Sequence, residues 1–481
     1  MLSLSTPQFR CLSAIGRCDI TPPVGIYHRM WGAALHDRAT GVHRPLTATM
    51  LWMRPPEAEL QSDDRIIVSL DHCILETSEM QCISRVISEV TGVPPENVLV
   101  SLTHTHGSGW MSRARSEFPG GDMIGPYLEE LRRKLAELAR SLVNQHVQSH
   151  VVCQPGHCSL AGYRDFFDEE RGHAVCGFQP EGSADDTVMV ARFTDSNGRT
   201  TVTIVNYACH PTTLAWDNTL ISPDWVGAMR ETVEQNAGGL CLFLQGASGD
   251  LGPREGFVGD VDVADRNGRQ VGFAVLSTLQ TVPKPGTTFD YQGPVLSGTW
   301  IGTWKHVSQT QDQQQKNGLW KWWSLTVDLP YRHDLPTIED TTSKRTYWLE
   351  EEAKARSTGD TEQLRKCRAN AEQMTRQLTR LQALAPGRCC PFPVRIGLMG
   401  TTLWIFTPGE LYQVFQQELR RRFPGYAIFV TTLTGDWQPG YVPPASSFGY
   451  GIYQEVIAAT APGCLEALIE EVSRSIHKQL R

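Results

Sequence analysis

Two histidines one residue apart, in Thr103-His104-Thr105-His106, close an apolar run, Asn97-Val98-Leu99-Val100-Ser101-Leu102. On an extended chain, residues two apart face the same side. Both imidazoles can therefore point at one centre, and imidazole is a common zinc ligand. Gly107-Ser108-Gly109 follows, and glycine lets backbone approach such a centre closely. A third histidine, His210, follows another apolar run in Cys209-His210-Pro211. Glu410 ends Thr407-Pro408-Gly409-Glu410, and Tyr441 sits in Pro439-Gly440-Tyr441-Val442-Pro443. Taken singly, each has an equally good structural reading. A histidine can cap a loop, a carboxylate is favoured at the positive end of a helix, and an aromatic can be buried in a turn. No spacing rule joins the four. Ser248-Gly249-Asp250 lacks the G-x-S-x-G arrangement of a serine nucleophile turn. Ser248 therefore reads as structural, and Asp250, Asp71 and Asp224 as carboxylates able to orient a ligand.

The elements that must position these residues alternate. Apolar runs at 65–70, 97–102, 202–207 and 240–244 read as buried strands. Residues 76–90 and 126–142 carry apolar side chains at helical spacing. Strands alternating with helices predict an α/β fold, with a central, largely parallel or mixed sheet covered by helices. Sites in such sheets gather beyond strand ends, where these polar clusters fall. Residues 283–340 are rich in Gly, Gln, Thr and Trp and read as an irregular or short-stranded insertion. Residues 343–385 read as a charged helical hairpin, solvated except for one packed stripe. The whole of 1–481 reads as one catalytic domain.

Composition bounds the rest. A net charge of -8 over 481 residues argues against a nucleic-acid surface. Thirteen cysteines, an odd number scattered along the chain, do not form a disulfide framework. The N-terminus carries no leader-like apolar segment, and no run is long enough to cross a bilayer. These features predict a cytoplasmic protein without stable membrane association. Oligomeric state is not legible.

In order along the chain, the motifs resemble the catalytic domain of the neutral (neutral/alkaline non-lysosomal) ceramidase family. The matching pieces are Gly16-Arg17-Cys18-Asp19-Ile20-Thr21-Pro22-Pro23, Thr103-His104-Thr105-His106, Asn206-Tyr207-Ala208-Cys209-His210-Pro211-Thr212, Leu220-Ile221-Ser222-Pro223-Asp224, Gly246-Ala247-Ser248-Gly249-Asp250, Pro408-Gly409-Glu410 and Gly440-Tyr441-Val442. The resemblance implies one zinc held by His104, His210, Glu410 and Tyr441. It implies that His106 hydrogen-bonds reacting groups, and that Arg164 and Tyr453 match a family arginine and tyrosine. Two departures stand out. Leu251 is followed by Gly252 where the family has serine. The chain also ends soon after Tyr441, which predicts that the family's C-terminal immunoglobulin-like domain is absent.

The expectation is a zinc-dependent amidohydrolase acting on a small, soluble N-acyl amide. His106 is its acid/base, and Arg164 and Tyr453 stabilise the oxyanion. The alternatives are a zinc hydrolase acting on an ester, lactone or N-acyl sugar, and a non-catalytic binding protein on the same fold.

Overall fold

The computed structural model describes residues 2–56 and 63–481. Its central sheet is built from β1 (Gln8–Asp19), β2 (Thr47–Arg54), β3 (Arg65–Leu70), β4 (Val98–Leu102), β5 (Val147–His157), β6 (Thr187–Thr194), β7 (Thr200–Tyr207) and β8 (Leu240–Gln245). The helices around it are α1 (Thr77–Thr91), α2 (Ile124–Leu142), α3 (Trp225–Ala237) and α4 (Val261–Thr281). The sheet order is β8-β7-β6-β5-β1-β2-β3-β4. It is mixed: β3 and β4 are parallel, β7 and β8 are parallel, and the neighbours between them are antiparallel. Parallel pairing occurs where a helix makes the crossover, α1 at one edge and α3 at the other.

Helix α2 buries Ile124, Leu128, Leu131, Leu135, Leu138 and Leu142, an apolar stripe at helical spacing. Strand β4 is buried along its whole length, as an unbroken apolar run requires. The sheet curls until its two parallel edges meet, where Ser69 of β3 donates a hydrogen bond to the Phe243 carbonyl of β8 (2.6 Å). The curl sets the ends of β4 and β7, which carry His104 and His210, beside each other.

The Trp-rich stretch 283–340 is more regular than its glycines and glutamines suggest. It holds a long hairpin, β9 (Thr287–Ser297) and β10 (Thr299–Ser308), turning at Gly298 with φ +74°. The tip exposes Leu296 and Trp300. The stretch also supplies β11 (Trp320–Pro330), the edge of a second sheet completed by β12 (Cys389–Met399), β13 (Thr402–Phe406) and β14 (Ala427–Thr431). Its aromatic and β-branched residues suit a pleated surface, and Trp322 stacks on Phe406 (centroids 6.1 Å). Asn206 of β7 ties the two sheets, donating to the carbonyls of Leu244 (3.0 Å) and Val430 (2.8 Å).

The helical pair is α5 (Ile338–Thr358) and α6 (Thr361–Ala383), turning at Gly359 (φ +74°) and capped by Asp360. Helix α5 is mostly exposed, with only Thr341 and Ala355 buried, and α6 packs a single stripe through Cys367, Arg368, Ala371, Glu372, Leu378 and Arg380. Glu372 of α6 takes a bidentate hydrogen bond from Arg115 (2.8 and 2.9 Å), and Arg368 reaches Asp37 (2.9 Å). The charge of α6 that suggested exposure is spent on docking. A closing helix, α7 (Cys464–Leu480), buries Leu465, Leu468, Ile469, Val472 and Ile476 against the second sheet. Among the described residues, no helix is long and apolar enough to cross a membrane.

Candidate metal centre

His104 comes off the end of β4 under tight control. Asp71, at the end of the neighbouring β3, forms a buried ion pair with Arg230 of α3 (2.9 and 2.5 Å). The same carboxylate accepts from Thr47 N (2.8 Å) and from the hydroxyl of Thr103 (3.1 Å). Asp71 therefore braces the strand ends next to His104 without touching its ring. The extended geometry expected for His104-Thr105-His106 is absent. His104 adopts φ +67°, in the left-handed region, and His106 opens a turn capped by Thr105. A non-glycine residue there is strained and held by its surroundings. The two rings still border one space, with centroids 4.9 Å apart. Gly107 is required: a Cβ there would meet the Ser222 carbonyl at 2.6 Å.

His210 follows β7. Its Nδ1 faces the carbonyls of Ser248 (2.8 Å) and Leu251 (3.1 Å), which gives Ser248-Gly249-Asp250 a structural role. Asp250 itself accepts from Gln413, and burial raises its pKa to about 7. Asp224 caps α3 through Trp225 N (2.7 Å). Of the three carboxylates, none binds a histidine of the site. Glu410 and Tyr441 come from the second sheet's loops, where Glu410–Leu411 and Tyr441–Val442 pair in parallel with Glu410 opposite Tyr441.

These elements converge. Glu410 Oε2 lies 3.0 Å from His210 Nε2 and 3.2 Å from His104 Nε2, and the Tyr441 hydroxyl lies 3.3 Å from His210 Nε2. Ligand atoms of His104, His210 and Glu410 all fall within 4.8 Å of one another. The outer nitrogens decide what the inner ones can do. His104 Nδ1 faces the Cys73 carbonyl (2.9 Å), so it must donate there, as His210 Nδ1 must to Ser248. Each neutral ring then turns a bare Nε2 lone pair toward a carboxylate oxygen, and His104 Nε2 has no hydrogen-bond partner. Acceptors facing acceptors need a cation or a shared proton between them. Burial lowers the pKa of His104, but Cys73 and Glu410 outweigh it and hold the ring well above its ordinary value. Burial likewise raises Glu410, and the two histidines more than reverse it. The demand for positive charge is what a bound metal ion satisfies, and the donor set fits one.

A second cluster, Cys73, His104 and His106, also lies within reach of one ion. Cys73 Sγ sits 3.6 Å from His104 Nδ1, the nitrogen already committed to the Cys73 carbonyl. The inner face of His104 belongs to the cluster with Glu410.

No family model matches the chain. It is 24% identical over 250 residues to Neutral ceramidase 2 of Arabidopsis thaliana, and 23% identical over 255 residues to the neutral ceramidase of Pseudomonas aeruginosa. These matches cover 49% and 50% of the chain, and only 31% and 36% of the relatives' own length. In fold, the crystal structure of the Pseudomonas aeruginosa neutral ceramidase superposes with a TM-score of 0.64, covering 98% of this chain and 74% of that one at 14% identity. The chain therefore shares the fold of that neutral ceramidase. A structure of a ceramidase complexed with C2 gives the same picture, with a TM-score of 0.65 over 99% of this chain and 76% of that one at 13% identity.

In this chain, a small cavity of about 40 Å³ is lined by His104, His106, Glu410, Tyr441 and Tyr453, with Arg376 and Arg380 of α6 among its other walls. His106 has no partner on either ring nitrogen, and Trp31 lies against it (centroids 5.0 Å, 31°). Tyr453 meets the Tyr441 ring edge-on (5.9 Å, 73°). Arg164 is placed differently from the expectation. It lies behind Tyr441, donating to its hydroxyl (3.0 Å) and to the Gly249 carbonyl (2.6 Å), outside the cavity wall. Sequence reasoning missed Trp31, Cys73, Arg376 and Arg380. A signal existed for the last two, which stand four apart on a helix and so share a face.

Proposed function

We propose that this chain is a zinc-dependent hydrolase of N-acyl amides, acting on a substrate met in solution. The observation that carries the reading is the convergence of His104 Nε2, His210 Nε2, Glu410 Oε2 and the Tyr441 hydroxyl on one point, beside His106, unpartnered among the described residues. Similarity to proteins named neutral ceramidases supports the amide as the bond cleaved.

Zinc, when bound, polarises a substrate carbonyl and acidifies a water. Three nitrogen and oxygen donors leave room for both, as catalytic sites require. His104, His210 and Glu410 would hold the ion, with the Tyr441 phenol beside them. The backbone carbonyls on both Nδ1 atoms fix each ring's tautomer and aim. His106 takes a proton from the attacking water and returns it to the leaving nitrogen, the step its free ring nitrogens suit. Tyr453 donates to the carbonyl oxygen as charge develops there. Arg164 is a positioning residue that orients the Tyr441 hydroxyl. The free state of all thirteen cysteines fits a reducing compartment, so we place the protein in the cytoplasm; recovery in an oxidising compartment on fractionation would count against that.

The test is elemental analysis of the purified protein, then turnover of short N-acyl amides, esters, lactones and long-chain ceramide in vesicles. The reading expects about one zinc per chain and chelator-sensitive amide turnover. Zinc-free protein that gains no activity on zinc addition would sink it. Turnover of esters or lactones alone would replace the amide. Efficient ceramide cleavage with tight vesicle binding would replace the soluble substrate.

A further inference from the structure

Helix α6 roofs the cavity, and most of the guanidinium groups it brings together are neutralised. Arg115 and Arg376 share Glu372, Arg368 pairs with Asp37, and Arg29 donates to the carbonyls of Gly32 (3.1 Å) and Arg368 (3.1 Å). Arg376 also donates to the Met30 carbonyl. Arg380 is different. It is 9% exposed and lines the same cavity as His104, His106 and Glu410. Among the described residues, no carboxylate lies within 4.0 Å of it. Its Nε has no partner, and Nη2 reaches only Gln377 of its own helix, at 3.3 Å.

A buried guanidinium without a counter-charge is costly, because desolvation is not offset by pairing. The acidic groups around Arg380 cannot offset it. Glu410 is held by His104 and His210 at 3.2 and 3.0 Å, and Glu372 serves Arg115 and Arg376. Burial accordingly depresses the pKa of Arg380. The cavity therefore has one wall that binds a metal and another that presents an unmatched, preorganised cation. A guanidinium fork matches a carboxylate in plane and spacing. Arg380 and the histidines line one cavity, so such a partner would belong to the same substrate as the scissile bond.

The geometry points to a substrate that carries a carboxylate next to the amide, as an N-acyl amino acid does, with Arg380 as its receptor. This rests on the hydrolase reading for the bond cleaved, but recognition of the carboxylate can be measured without it. The probes are a matched pair, N-octanoylglycine and N-octanoylethanolamine, which differ in one charge. They are joined by the N-octyl monoamide of succinic acid, with its carboxylate on the acyl side, and by N-octanoyl-O-phosphoethanolamine. Turnover is measured where it occurs, and equilibrium binding by calorimetry where it does not.

The expectation is a preference for N-octanoylglycine or the succinyl monoamide of about 10- to 100-fold over the ethanolamide, the range of a charge-assisted hydrogen bond. Arg380→Gln collapses that ratio, and Arg380→Lys keeps part of it. The two carboxylate arms tell which side of the amide bears the charge. If no amide is cleaved but N-octanoylglycine still binds preferentially and Arg380→Gln abolishes it, the carboxylate assignment stands and the hydrolase reading falls. Equal handling of the matched pair by the unaltered protein overturns the assignment. So does a ratio that survives Arg380→Gln, or a preference for the phosphate. If Arg380→Gln does not fold, the ratio in the unaltered protein and in Arg380→Lys decides.

Discussion

Replacing Asp71 with asparagine tests whether the site depends on a brace it never touches. The carboxylate is fully buried and meets five donors: both terminal nitrogens of Arg230, the Thr47 backbone, the Thr47 hydroxyl and the Thr103 hydroxyl. Burial opposes its charge, but Arg230 and Thr47 outweigh that and hold its pKa below the usual carboxylate value. Asp71→Asn keeps the shape and removes the charge. Arg230 is then buried without a counter-ion, which costs about 3–5 kcal/mol. The new amide group also turns a donor toward existing donors, so the upper part of that range is expected. For a chain of this size the loss lowers the midpoint of thermal unfolding by roughly 3–5 °C at a fixed scan rate. Thr103 adjoins His104, so metal affinity should also fall by about 10–100-fold, as when a ligand's outer partner is lost. The assay pairs thermal unfolding with a zinc titration, and adds Arg230→Met and the double variant. Removing both partners leaves no orphaned charge, so the double variant should recover most of the stability lost in Asp71→Asn. Unfolding of Asp71→Asn within about 1 kcal/mol of the unaltered protein, below the range of a broken buried pair, would refute the reasoning. A double variant no better than the single would do the same.

Other substitutions separate the roles inside the site. His104→Ala and His210→Ala should each strip the zinc, read by elemental analysis after dialysis. His106→Ala should keep it while losing about 10²–10⁴-fold in rate; if it strips the metal instead, the cluster with Cys73 is the binding one. Gly107→Ala should abolish zinc retention, since its Cβ would meet the Ser222 carbonyl at 2.6 Å, and normal zinc content would show that this loop gives way. Gly252→Ser should change stability by less than about 0.5 kcal/mol and leave turnover unaltered, because a Cβ there meets nothing nearer than Thr212 Oγ1 at 3.7 Å; a large gain in turnover would restore a role for the missing serine.

Much of this was legible in the residues, and the parts that were not have physical causes. Strands and helices of the first half follow their apolar periods, as in α2 and β4. The two parallel edges were legible as strand–helix–strand units, but the antiparallel middle was not, because single-strand patterns do not encode partners. His104 and His106 were found by type and spacing, yet their geometry was not. The left-handed turn at His104 is imposed by the packing of β3, β4 and the Ser222 loop. The register that sets Glu410 opposite Tyr441 lies in a two-residue pairing too short to leave a pattern. Residues 283–340 misled because Gly and Gln suggest irregularity, although the alternating aromatic and β-branched residues spell long strands. Helix α6 packs the one stripe its period predicts, but the stripe carries charged residues. Its charge suggests solvent, and the structure turns that charge inward onto Arg115, Asp37 and the cavity.

The chain separation of the metal donors has a consequence for how the protein is made. Glu410 meets His210 across 200 residues, and Tyr441 meets it across 231. Contacts of such sequence separation form late, after shorter loops have closed. On the ribosome the donor set cannot close until Tyr441 has left the exit tunnel. An ion captured there links both sheets at once, so its binding energy is returned as stability of the whole chain. If the site is loaded during synthesis, metal supply would then bear on the yield of folded protein, and a chain cut short anywhere before Tyr441 would lack its complete donor set.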